Sequence, residues 1–158
     1  MIGRFTDHGE VLDTHDVAHL RRAVQLARQA SADGDAPYGA VLVGADGLVL
    51  AEGRNATVST GELISHAELN AIRAADPARV AGATMYASGE PCAMCSGAMH
   101  WARLGRVVFG ASIPSIRTMF PTSPSIGTRC ADLLRTGTHR VQVIGPVLEE
   151  ECLAVFFP

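Results

Sequence analysis

Four residues of this chain have types and spacings that could do chemistry: Cys92 and Cys95, spaced C-x-x-C, and His66 and Glu68, spaced H-x-E. The stretch from Pro91 to about Arg103 reads as a helix with proline in its first turn. Both cysteines then fall on the opening turn, where the helix's positive end favours thiolates. Two thiolates converging on one point suit zinc, and they suit a redox pair equally well, so a further ligand must decide. His66 stands at the start of another helical stretch. If both helices begin at the same edge of a sheet, one imidazole and two thiolates hold zinc and leave its fourth tetrahedral position to water, as in catalytic sites. Zinc lowers the pKa of that water, and a carboxylate beside it can take the proton and later pass it to a leaving amine. Glu68 is placed for that role, and the chemistry implied is hydrolytic deamination. Taken singly, His66 reads as a capping or core residue and Glu68 as the far partner of a Ser65-x-x-Glu68 capping box. Cys130 and Cys152 lack partner spacing and read as small buried hydrophobes; either one as a fourth thiolate would close the site.

Something must bring these two helix starts together. Val17, Leu20, Val24 and Ala27 recur at helical spacing over residues 14 to 31, with Asp13 or Thr14 as N-cap. Short apolar runs at 40–43 and 48–51, separated by Gly44-Ala45-Asp46-Gly47, predict a hairpin. There follow a helix over 65–75, a strand over 83–88, the cysteine-bearing helix and a strand over 106–111. Residues 112–127, with Pro114, Pro121 and Pro124, read as an irregular substrate-facing loop. A helix near 128–135, a strand over 140–144 and a closing helix from Val147 complete the order α-β-β-α-β-α-β-α-β-α. That order predicts one domain over 1–158, an α/β fold built as a three-layer α/β/α sandwich on a five-stranded mixed sheet.

Composition narrows the function further. All 13 basic residues are arginine, which excludes a Schiff-base lysine and a Walker-type phosphate loop. The net charge is −3 and no basic stripe is present, so nucleic acid is not the expected partner. No apolar run reaches the ~20 residues of a membrane span, and the first residues carry neither secretory nor transit character; the expected compartment is the cytoplasm.

His66-Ala67-Glu68-Leu69-Asn70-Ala71-Ile72-Arg73 and Glu90-Pro91-Cys92-Ala93-Met94-Cys95-Ser96-Gly97-Ala98 carry the H-x-E…P-C-x-x-C signature of zinc deaminases. From about Pro37 to Ala111 the chain resembles the purine-type branch of the cytidine-deaminase superfamily, which includes bacterial guanine deaminases and tRNA adenosine deaminases. The resemblance implies the sandwich fold, one zinc ion per subunit and a homodimer. It also implies that Asn55 hydrogen-bonds the base and that the backbone N–H groups of Ala67 and Cys92 lie near the ring. His100-Trp101-Ala102-Arg103 looks like the tryptophan-containing segment of guanine deaminases, which offers Trp101 as a stacking surface and leaves His100 outside the ligand set. Residues 141–158 contain no arginine or lysine, unlike the basic tail of the tRNA enzymes, and by the same resemblance Phe156 and Phe157 close the site. Guanine deaminases carry an acidic residue in the loop after the fourth strand; here 112–127 has none and offers Ser115, Arg117, Thr118, Thr122 and Ser123 instead. The substrate implied is a small-molecule nucleobase or close analogue: a guanine-like aminopurine, a cytosine-like ring or an aminotriazine. A tRNA adenosine-to-inosine deaminase and a non-catalytic zinc-binding module are the two alternatives.

Overall fold

The computed structural model describes residues 4–5 and 11–157. Two short strands, β1 (Arg4–Phe5) and β2 (Val11–Leu12), pair with each other. Helix α1 (Thr14–Ala32) follows. Asp13 caps it, accepting from the Asp16 N–H while the Asp16 carboxylate accepts from the Asp13 N–H, so two orphan donors are satisfied reciprocally. The chain continues through β3 (Gly39–Val43), β4 (Val49–Arg54), α2 (Ala67–Ala74), a single turn α3 (Pro77–Val80), β5 (Thr84–Gly89) and α4 (Ala93–Trp101). The last elements are β6 (Arg106–Ala111), α5 (Ile113–Met119), α6 (Cys130–Arg135), β7 (Gln142–Ile144), α7 (Glu149–Leu153) and a 3-10 turn at Ala154–Phe156.

The main sheet has the order β4-β3-β5-β6-β7. β3 runs antiparallel to both neighbours, while β5, β6 and β7 are parallel. This is the expected five-stranded mixed sheet. One core cluster joins α1 and the α7 segment to one face, through Leu20, Val24, Val41, Val108 and Cys152. The other joins α2, α4 and α6 to the opposite face, through Leu42, Ala67, Ala71, Cys95, Met99 and Leu134. Two glycines set the close approach of helix to sheet. A Cβ on Gly39 would fall on the Ala23 carbonyl oxygen of α1, and a Cβ on Gly53 on the Ala67 carbonyl oxygen of α2.

Two expectations are corrected. Residues 112–127 are not irregular throughout: Ser112 caps α5 and accepts from the Ser115 N–H, and Pro114 sits in the first turn, where its missing N–H costs nothing. Ser65 does not cap α2. The N-cap is His66, without a side-chain cap bond, and the Ser65 hydroxyl pairs with Asn70.

Far from the cysteines, β6 is fastened to α1 by a buried ion pair. Arg106 holds both Asp16 oxygens at 2.6 and 2.9 Å, and the Tyr86 hydroxyl donates to Asp16 at 2.7 Å. Burial acts to raise the Asp16 pKa, but the bonds from Arg106, Tyr86 and the Asp13 N–H outweigh it and hold the carboxyl below its ordinary 3.8. Removing one partner leaves a buried charge uncompensated. Arg106→Met is therefore expected to lower the unfolding free energy by roughly 3–5 kcal/mol in urea at neutral pH. Because the folded pKa is depressed, this contribution is complete above 3.8 and is lost as pH falls through the lowered value, so the gap between wild type and variant narrows there. A gap below about 1 kcal/mol at neutral pH would contradict the assignment.

Candidate metal and active site

Strand β5 ends at Gly89, and three residues later Cys92 takes an extended conformation as the N-cap of α4. Cys95 lies one turn further in. The loop after β4 delivers His66 to the start of α2, whose backbone lies against Gly53, so both helix starts meet near the end of β5. His66 Nδ1 lies 3.6 Å from each of the two sulfurs, and ligand atoms of His66, Cys92 and Cys95 all fall within 4.8 Å of one another. Tetrahedral zinc with sulfur at about 2.3 Å and nitrogen at about 2.0–2.1 Å produces an S···N edge of about 3.6 Å, so the donor set fits that ion without rearrangement. Among the described residues neither Cys130 nor Cys152 joins the group. Cys152 is buried beneath Gly110 and Cys130 opens α6.

The Cys95 thiol, against the opposing effect of burial and with help from His66, draws Cys92 down to about 4. The same contact, with burial, pushes Cys95 up. Glu68 is 7% exposed, its Oε2 is 3.5 Å from the Cys95 sulfur, and burial pushes its carboxyl up. It is free of the capping box that the sequence pattern allowed. The carboxylate thus sits against Cys95, one of the three metal donors.

The other candidate residues divide. Asn55 is buried just after β4, where its N–H donates to the Tyr38 carbonyl; its Oδ1 accepts from the N–H and hydroxyl of Thr57, and its amide nitrogen has no partner among the described residues. Ala67 is the first residue of α2, so its N–H is a donor that the helix leaves unpaired. Phe156 packs edge-on against Tyr38, ring centroids 5.5 Å apart, and touches Phe120 at 5.4 Å. Trp101 and Phe157 are not brought in. Trp101 closes α4 at the end away from Cys92 and is 85% exposed, neither core nor part of the cluster; Phe157 is 69% exposed.

Sequence reasoning missed two features. Tyr38 lies close enough that Glu68 and Cys92 add to burial in pushing its phenol up to about 12. Glu90, whose side chain is 1% exposed, accepts from Arg129 Nε at 2.8 Å, from the Ile113 N–H at 2.9 Å and from the Cys130 N–H at 3.0 Å. It ties the segment after β6 to the residue before Pro91-Cys92. Its position beside the proline was visible in the sequence; its partners, 23 to 40 residues away, carried no signal.

Residues 13–111 match the family described as the cytidine and deoxycytidylate deaminase zinc-binding region. A probable cytosine deaminase of Schizosaccharomyces pombe is 33% identical over 148 residues, covering 90% of each chain. A tRNA-specific adenosine deaminase of Bacillus subtilis is 36% identical over 153 residues, covering 91% of this chain and 89% of that one. Among solved structures, the X-ray structure of guanine deaminase from Bacillus subtilis superposes with a TM-score of 0.61 at 34% identity, covering 68% of this chain and 70% of that one.

Proposed function

This chain belongs to the cytidine and deoxycytidylate deaminase family, and from that premise we propose that it hydrolytically deaminates a free nucleobase or close analogue, releasing ammonia. His66, Cys92 and Cys95 hold one zinc ion per subunit, and Glu68 moves the protons. The observation that carries this reading is the buried Glu68 carboxylate, released from any capping duty and set against Cys95 of the His66–Cys92–Cys95 donor group.

When bound, zinc supplies a water acidified towards neutrality as the nucleophile. Glu68 takes a proton from the attacking water and gives it to the ring nitrogen next to the amine-bearing carbon. It then carries the remaining hydroxyl proton to the exocyclic nitrogen, which leaves as ammonia while the carbon becomes a carbonyl. Asn55 offers its unpaired amide nitrogen as a donor to the base, and the Ala67 N–H offers a second.

Two features favour a free base over an RNA-embedded one. The chain carries a net charge of −3, and the segment that ends in Phe156 opens with Glu149, Glu150 and Glu151, which repel phosphates. Ammonia release from a panel of guanine, cytosine, isoguanine, adenine and aminotriazines, with their nucleosides and an unmodified tRNA, tests the proposal. Turnover of at least one free base with no salt-sensitive tRNA activity supports it. Turnover of tRNA alone would make this an RNA enzyme with the same chemistry.

The proposal includes a homodimer, supported by the exposed apolar side chains of Val58, Leu63 and Ile64, which lie together in the loop between β4 and α2. Light scattering should return twice the chain mass at micromolar concentration; a monomer there would remove the dimer.

A further inference from the structure

We propose that Tyr38 is a specificity-determining residue that hydrogen-bonds the ring edge of the bound nucleobase through its phenol hydroxyl, an inference that rests on the nucleobase-deaminase reading above. Strand alternation fixes which way Tyr38 faces. A Cβ on Gly39 would run into Ala23 and Leu26 of α1, so Gly39 faces that helix and its neighbours Tyr38 and Ala40 face the opposite layer. Ala40 packs there in one cluster with Ala67, Ala71 and Cys95, and Tyr38 packs against the same cluster together with Cys92. On β4, Gly53 faces Ala67 of α2, so Asn55, two residues on, faces the metal layer as well. The Asn55 N–H donates to the Tyr38 carbonyl at 3.0 Å and continues the Gly39–Arg54 register by one pair. Tyr38 and Asn55 are thus opposite neighbours on one face, with Cβ atoms about 4.5–5.5 Å apart.

The ring itself is confined. Its edge lies against Gly89, where an added Cβ would meet Tyr38 Cε1 at 2.9 Å, and the Phe156 ring packs on it at 71°. Gly89 is three residues before the ligand Cys92. The hydroxyl, by contrast, makes no hydrogen bond to any described residue and is not among the fully buried polar atoms, so it is open to a ligand. The free amide nitrogen of Asn55 and the free hydroxyl of Tyr38 are then two polar groups on one wall beside Glu68, both available to a flat polar ring. Phe156 acts as a positioning residue that keeps the Tyr38 ring in place.

The test separates this role from the reaction. Glu68→Gln protein loaded with zinc binds bases without turning them over, so calorimetry reads dissociation constants for the same base panel with and without Tyr38→Phe. The substitution keeps the ring against Gly89 and Phe156 and removes only the hydroxyl. The expected result is about five- to tenfold weaker binding of the preferred base, a compressed ranking across the panel, and unchanged zinc content and melting temperature. Phe156→Leu is expected to weaken binding when Tyr38 is present and to add little once Tyr38→Phe is in place. Equal dissociation constants with and without the hydroxyl would overturn the Tyr38 role while leaving the reaction standing. Ammonia release from none of the bases by the wild-type enzyme would overturn the free-base reading instead, and base binding that still depends on the hydroxyl would keep Tyr38. Failure of every base to bind either protein overturns both.

Discussion

Glu68→Gln is expected to retain one zinc ion per chain and to lose activity by about a hundred- to ten-thousandfold, almost entirely in kcat. Glutamine matches the carboxylate in shape but cannot take up and release a proton at neutral pH. The stability of the variant is the complementary readout. A carboxylate 7% exposed is costly to keep ionised, so replacing it with a neutral amide should leave the melting temperature unchanged or raise it. A residue present for packing or capping would behave in the opposite way, losing stability and keeping activity. Steady-state kinetics, metal analysis and a melting curve on one preparation separate the two, and normal turnover in Glu68→Gln would remove the proton-shuttle role.

The second large effect is on the metal. Cys92→Ser replaces a thiolate by a hydroxyl that stays protonated, and a site that began with three protein donors keeps two. Loss of a partner that only orients a ligand weakens zinc by about 10–100-fold, so removal of a ligand itself should exceed a hundredfold and take activity with it. At a free zinc concentration of about 100 Kd, bound zinc contributes about 2.7 kcal/mol of stability to the wild type, and the variant should lack it. Chelator-treated wild type and Cys92→Ser should therefore melt at nearly the same temperature, because Cys92 is half-buried and its loss opens no core cavity. If chelator leaves the wild-type melting temperature in place, zinc is not part of the folded site.

The grouping of His66, Cys92 and Cys95, with Glu68 against Cys95, was legible in the sequence because each residue belongs to a local pattern with a chemical meaning. His66, Cys92 and Cys95 follow from two short spacings at two helix starts, and the elements between them follow from hydrophobic period and turn residues. Local reasoning went wrong where a pattern had two uses. Ser65-x-x-Glu68 has the form of a capping box, yet the tertiary demand on Glu68 prevailed and Ser65 turned to Asn70. Three prolines in 112–127 suggested a loop, but Pro114 sits in a first turn, and Ser112 is held from outside by Glu149 through both its N–H and its hydroxyl. Trp101 was readable as an aromatic surface for a base; only its place at the end of α4 opposite Cys92, where it is exposed, separates it from the metal donors. Tyr38 and Glu90 were illegible for a different reason. Their partners come from strand register and from segments far along the chain, and a single sequence prints neither.

X-ray absorption on the purified wild-type protein tests the central claim most directly. The account predicts one zinc ion per chain with two sulfur neighbours at about 2.3 Å, one imidazole nitrogen and one further light atom that exchanges with solvent. Absence of stoichiometric zinc, or a third sulfur in its shell, would contradict it.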